Sequence, residues 1–423
     1  MTNRLYYTDP YLRSFDATIR ALNRDRRDGR LVVILDRTAF YPTSGGQPFD
    51  VGMLGGHRVV EVVDEEDEAA DEAGGGTVAH VIEAGDPGEP SPPSGRAGDA
   101  GDRQALNVGE VVHGEIDWDR RFDHMQQHTG QHVLSAAFDR LFGVRTISFH
   151  LGADASTVDL AREMTVAEIV AAEEAANRVV WEDRAVSIRF VTADEAGRLP
   201  LRKEPAREGT LRLVDIDGWD LSACGGTHVT RSGSIGAIAV VAWERFKGGQ
   251  RVEFLCGGRA LRRFRSMRDS LGASVRLLSV VPQELPAAIE RLQTDAREQK
   301  RGLLALQGEL ARCRAVELVA TARPISTGRL VLRAVDANAN GLKALAGAVT
   351  REPGLIVVLV STSTPALVVV ARSSDQSASS QQLVASLMAR FGGRGGGTAE
   401  LAQAGGLGGA PEEILEAADR MLT

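Results

Sequence analysis

The sequence holds 423 residues, 43% hydrophobic and 25% charged, the balance of a globular chain long enough for two or three domains. No apolar run approaches the roughly 20 residues that span a bilayer, and the first residues lack the basic-then-apolar layout of a signal peptide. Three cysteines exclude a disulfide scaffold, and a formal net charge of −8 argues mildly against a nucleic-acid partner, so a cytoplasmic location without membrane attachment is expected.

Taken in chain order, the N-terminal part reads as short strands with glycine-rich turns. LVVILDRTAFY, HRVVEVV, TVAHVIE and EVVHGEI are rich in β-branched residues, and SGGQPFDVGMLGG between the first two is turn chemistry, so a small β-barrel is predicted. Acidic residues crowd one segment, from Glu61 and Asp64 to Asp71 and Glu72. The Gly-, Pro- and Ser-rich stretch near 86–103 buries nothing and is read as a disordered loop.

After Ile116 the period changes. Phe122, Met125, His128, Thr129, His132, Val133, Ala136 and Ala137 recur at three- and four-residue spacings, which predicts an amphipathic helix ending at Gly143. Thr165 and Glu168 form a capping-box signature for a second helix that runs to Trp181. Strands at VSIRFV, LRLVDI, IGAIAVVAWERF and RVEFLC complete an α+β region. From Gln283 to about Ala320 the pattern is a long, charged, leucine-bearing helix, a spacer or dimer arm weakened by Gly302 and Gly308. The C-terminal part alternates strands (RLVLRAV, GLIVVLVS, ALVVVARS) with helices near 340–350 and 380–391, a small α/β domain carrying the glycine-rich loop FGGRGGGTAELAQAGGLGG.

Two pairs of residues carry chemistry. His128-Thr-Gly-Gln-His132 sets two imidazoles at i and i+4 on one helix face, and Cys224-Gly-Gly-Thr-His228 sets a thiol and an imidazole in a turn whose glycines are read as permitting unusual backbone angles. Together they make a Cys/His₃ set of the kind that suits tetrahedral Zn2+, although either pair alone is more often plain surface or core. His124 continues the helical stripe and either joins the set, stands behind it as a hydrogen-bond donor or is a partly exposed helix residue, while His150 either lines the pocket or is an ordinary residue. No HExxH, Walker loop or GxSxG elbow is present.

HTGQHVLSAAF and CGGTHV resemble the two metal-binding motifs of the alanyl-tRNA synthetase editing domain, in that family's order. FYPTSGGQPFDVG resembles the glycine-rich motif that precedes them, and FGGRGGGTAELAQAGG the signature of the C-terminal DHHA1 domain. With a barrel starting this early and no room for an aminoacylation domain, the chain resembles the long form of the stand-alone AlaX editing proteins. The resemblance implies an α+β chain in four parts: a β-barrel domain (1–110), a zinc-binding editing domain (111–257), a helical spacer (258–322) that is a candidate homodimer arm, and a DHHA1-like α/β domain (323–423). It implies hydrolysis of mischarged tRNA(Ala), principally Ser-tRNA(Ala) with Gly-tRNA(Ala) as a second substrate, and zinc held by His128, His132, Cys224 and His228. Thr43, Gln47 and Thr227 are the catalytic candidates, as readers of a serine hydroxyl or holders of a water; simple turn structure is the alternative for Thr43 and Gln47. Whether zinc activates that water or only organises the pocket stays open. Arg245, Lys247 and Arg251 are candidate contacts to the tRNA 3′ end, the arginines from Arg259 to Arg268 to phosphates, and Arg394 to tRNA from the C-terminal domain. Two competing readings remain: a non-catalytic tRNA- or RNA-binding protein with structural zinc, and a DHHA1-type phosphodiesterase, which lacks its DHH half here.

Overall fold

Alternate residues of the strand Ser14–Arg24 turn inward, burying Phe15, Ala17 and Ile19 and leaving polar neighbours outside. In the computed structural model, which describes residues 1–25, 29–65, 76–83, 106–202 and 209–423, this strand opens a ring. Ser14–Arg24, Leu31–Leu35, Thr77–Ile82, His57–Glu65, Gly52–Leu54 and Val111–Ile116 pair antiparallel in that order, and the last returns to pair with the first. Val33, Leu35, Leu54, Val59, Val62, Val78 and Val112 fill its interior. The ring runs through Val111–Ile116, past the boundary expected at residue 110. The stretch near 86–103 and most of the acidic segment lie outside the described residues.

Helix α1 (Trp118–Phe142) follows directly, capped at its start by the Asp117 carboxylate and at its end by Gly143 in the left-handed region, φ 63°. Helix α2 (Val166–Trp181) opens on the capping box of Thr165 and Glu168. Both helices pack on an antiparallel sheet in the order Ile238–Phe246, Gly249–Cys256, Ser156–Leu160, Thr146–Leu151; Met125, Val133, Phe138, Ile169, Ala172, Val158, Val252 and Phe254 form the shared core. A three-stranded sheet of Val186–Thr192, Thr210–Ile216 and Asp220–Ala223 carries the short helix α3 (Ala193–Ala196). The strands Ser14–Arg24, Thr146–Leu151 and Ser156–Leu160 had no sequence prediction; in the first and last the buried positions do alternate, but they include Ala17 and Ser156, which carry little apolar signal.

The chain divides into two compact units, Met1–Leu271 and Gly272–Thr423, and helix α4 (Gly257–Leu278) contains the division. The second unit has the long helix α5 (Leu285–Ala320) and a mixed sheet in the order Arg323–Ile325, Gly328–Val335, Leu355–Ser361, Ala366–Arg372, Leu401–Leu407, Arg394–Gly397. Helices α6 (Ala339–Val349), α7 (Ser380–Phe391) and α8 (Pro411–Leu422) cover it. The glycine-rich stretch expected to be a loop is instead an antiparallel pair within this sheet. Its glycines let the two strands close up, since a Cβ at Gly395 would come 2.1 Å from the Gln403 carbonyl oxygen. Among the described residues no helix is long and apolar enough to cross a membrane.

Candidate metal centre

Along the middle of α1 a run of polar residues faces inward. His128, Thr129, Gln131, His132 and Ser135 are all buried, as is Gly130 between them. A glycine inside a helix costs roughly 0.5–1 kcal/mol relative to alanine. Here the space demands it: a Cβ at Gly130 would come 2.2 Å from the Cys256 Sγ on the neighbouring strand.

A buried ion pair fixes the glycine-rich loop of the ring against the same helix. The Arg121 Nε donates to both Asp50 oxygens at 3.1 and 3.0 Å, and its Nη1 donates to the Pro10 carbonyl at 2.9 Å. Asp50 also accepts from the Tyr41 amide at 2.6 Å, closing the loop that carries Gln47. Gly45 and Gly46 turn that loop at φ 55° and 86°, the left-handed region glycine enters freely.

Four side chains converge from these elements. One ligand atom each from His128, His132, Cys224 and His228 lies within 4.8 Å of the others, and the Cys224 Sγ is 3.3 Å from the Nε2 atoms of both His128 and His228. Every imidazole is held from behind at Nδ1. His128 donates to the Gln47 Oε1 at 2.8 Å, His132 donates to the Asp220 Oδ2 at 2.9 Å, and His228 lies 3.2 Å from the Thr129 hydroxyl. With Nδ1 engaged, each ring turns Nε2 toward the common centre, the usual way a protein orients metal-binding histidines.

These supports are themselves anchored. Asp220 accepts from the Arg202 Nε at 2.7 Å and from the Ser222 hydroxyl at 3.1 Å. Gln47 is tied to the CGGTH turn as well: its Oε1 also accepts from the Thr227 amide at 3.1 Å, and its Nε2 donates to the Thr227 Oγ1 at 2.8 Å. In the CGGTH turn neither glycine adopts positive φ, which corrects the expectation of unusual backbone angles. Gly226 is required by space, since a Cβ there would come 2.1 Å from the His128 Cε1.

The electrostatics favour a ligating thiolate. Burial opposes ionisation of Cys224, but His128 and His228 outweigh it and draw the thiol well below its ordinary range. Burial holds His228 down to about 3. At His132 burial acts the same way, yet the Asp220 carboxylate overrides it and lifts the ring to about 9. One thiolate and three imidazoles form a donor set that can hold a metal ion.

The other candidates are dispersed. Thr43 stands exposed on the ring loop, while Thr227 is buried behind His128. Arg245 pairs with Glu163 at 2.9 Å on an open surface; Arg251 pairs with Asp159 at 2.7 Å and stacks over the Phe246 ring. Lys247 occupies the turn between these two strands, and Arg394 lies exposed in the other unit. His150 is exposed, and His124 is buried one turn before His128, outside the four-residue cluster. Sequence reasoning did not find Asp220, Thr129, Arg202, Asp50 or Arg121. Asp220 lies close before Cys224 in the chain, but nothing in that spacing shows that it meets His132.

Residues 211–253 match the family model of the second additional domain of threonyl and alanyl tRNA synthetases. The alanine–tRNA ligase of Pyrococcus furiosus is 32% identical over 369 residues, covering 85% of this chain and 37% of that one. That of Pyrococcus abyssi is 30% identical over 416 residues, with 95% and 42% covered, so the chain spans well under half the length of these ligases. The alanyl-tRNA editing protein AlaX-L of Pyrococcus horikoshii is 29% identical over 425 residues, and there the match covers 99% of this chain and 98% of that protein. The chain is thus similar over nearly its whole length both to AlaX-L and to one region of the alanine–tRNA ligases.

Proposed function

We propose that the chain is a hydrolase that deacylates mischarged tRNA(Ala), chiefly Ser-tRNA(Ala) with Gly-tRNA(Ala) as a second substrate, around a Zn2+ held by His128, His132, Cys224 and His228. The observation that carries this reading is the convergence of three oriented Nε2 atoms on a thiolate-prone sulfur, in a chain related to AlaX-L over its full length. Soft sulfur with three imidazoles suits Zn2+ in both number and type. When bound, that ion supplies a positive charge toward which the ester carbonyl is drawn.

The chain's own residues do the rest. Gln47 and Thr227 hold His128 and the CGGTH turn in register, which makes them positioning residues. Thr43, exposed on the same loop, is the group able to meet a serine hydroxyl or hold a water. A site that hydrogen-bonds the hydroxyl discriminates against alanine, whose methyl leaves the polar group unpaired. Arg245, Lys247 and Arg251 remain the contacts proposed for the tRNA 3′ end. The Arg245–Glu163 pairing is exposed and worth little, so a phosphate can displace it. In this reading the second unit is DHHA1-like, Arg394 meets tRNA, and α5 is the arm of a homodimer in the cytoplasm.

The test is deacylation of Ser-tRNA(Ala) beside Ala-tRNA(Ala), with zinc content measured for the native chain and for Cys224→Ala. Rapid loss of serine that spares alanine, abolished together with zinc in the variant, is the expected result. A zinc-loaded native chain that hydrolyses neither Ser-tRNA(Ala) nor Gly-tRNA(Ala) would sink the proposal.

A further inference from the structure

The N-terminal turns of α1 and α4 meet beside the ring loop, over a cleft of about 420 Å³ lined by Asp119, Arg120, Asp123, His124, Arg259 and Arg262. Three guanidiniums face two carboxylates there. One carboxylate is already answered, because the Arg259 Nε and Nη2 donate to Asp123 at 2.9 and 2.7 Å. Arg259 is also anchored through Nη1 to the Gly152 carbonyl at 2.7 Å, so it serves as a wall. Arg120 is aimed by its Nε, which donates to the Phe49 carbonyl at 3.0 Å. Arg262 is loose: its side chain is 68% exposed and its Nη2 lies 3.7 Å from Asp123.

The second observation is His124. Its ring is only 3% exposed and lines the cleft, yet its Nδ1 has no hydrogen-bond partner. A buried polar atom without a partner is costly and points to something that completes it. Burial, reinforced by Arg120, Arg259 and Arg121, holds the imidazole down to about 3, so the ring is neutral and keeps one N–H to donate. A cation is disfavoured by the guanidiniums, and an apolar ligand by the polar lining; forked N–H donors around a neutral N–H fit a tetrahedral oxyanion.

We propose that this cleft holds a backbone phosphate of the RNA strand whose esterified end lies at the Cys/His cluster. The inference rests on the function proposed above. His124 precedes His128 by one helical turn, about 6 Å of rise, and Pro48 of the ring loop also lines the cleft, so cleft and cluster share two elements. That step is comparable with the distance between a terminal ester and the phosphate of its own nucleotide.

The experiment measures binding of an acceptor-stem minihelix that carries no amino acid, by fluorescence anisotropy across a salt series. The native chain is compared with Arg262→Gln and Arg262→Lys. Arg262→Gln is expected to raise Kd about tenfold and to lower the salt slope by about one, with Arg262→Lys recovering most of the loss. An unchanged Kd and slope overturn the inference. A minihelix whose last phosphodiester is an uncharged methylphosphonate should bind the native chain more weakly and show no further loss with Arg262→Gln; a full additional loss overturns the contact with that phosphate. Inorganic phosphate shifting the His124 ring resonances while RNA leaves them unmoved overturns the RNA source in favour of a free anion. Deacylation is read separately, so Arg262-dependent RNA binding without hydrolysis defeats the hydrolase reading and leaves this contact standing.

Discussion

Helices α1 and α5 are both long and rich in charged and polar residues, yet they occupy opposite environments. α1 buries Arg121, His124, Gln127, His128, Thr129, Gln131, His132 and Ser135. α5, at 36 residues, buries only Ala288, Ala311, Ala315 and Leu318 and leaves Leu292, Leu303, Leu304, Leu306 and Leu310 exposed. Polarity therefore does not report burial in either helix. In α1 Arg121, Gln127, His128 and His132 can be buried because partners from distant strands and loops satisfy them, as Asp50, Cys256, Gln47 and Asp220 do, whereas the His124 Nδ1 is left without one. The same contrast shows in the glycines: Gly130 faces the Cys256 sulfur, whereas Gly302 and Gly308 have nothing within 4 Å.

The largest expected effect breaks the α1 side at its ion pair. Arg121→Met leaves Asp50 buried without its cation, a loss of about 3–5 kcal/mol. Chemical denaturation of the Met1–Leu271 unit would read it, and a loss below about 1 kcal/mol would show that Asp50 finds other partners. Next, Asp220→Asn removes the carboxylate behind His132 without changing its size. Metal affinity should fall about 10- to 100-fold, measured by chelator competition. Unchanged affinity would mean that His132 is oriented without Asp220.

Smaller effects sharpen the comparison between the helices. Gly130→Ala should cost about 1–3 kcal/mol by overpacking against Cys256, although alanine is the better helix former. In α5 the sign should reverse: Gly302→Ala and Gly308→Ala should each stabilise the helix by up to about 1 kcal/mol, because open space leaves only the propensity gain. Thermal unfolding of all three variants checks the pair of predictions; equal signs in both helices would refute the distinction.

Much of the fold was legible where a pattern is local. The capping box at Thr165, the cap at Gly143 and the helices at Ala339–Val349 and Ser380–Phe391 follow from periodicity and terminal residues. The pairing of FGGRGGG with LAQAGGL was not legible, since a run of glycines reads as a loop until a neighbouring strand approaches it. At the site the two motifs were legible because each brings its chemistry in five consecutive residues. Gln47 was legible as a candidate but not in its position behind His128, a contact across 81 residues of chain.

Sequence alone determined which donors are available, that two of them sit at i and i+4 on one helix, and that the chain carries motifs of the alanyl-tRNA group. Tertiary structure alone decided that both motifs meet, that Asp220, Gln47 and Thr129 stand behind the histidines, and that Arg121 is buried against Asp50. The physical reason is range. Helical period, caps and turns act within a few residues, whereas orienting an imidazole or neutralising a buried charge needs a partner brought close only when separate elements pack.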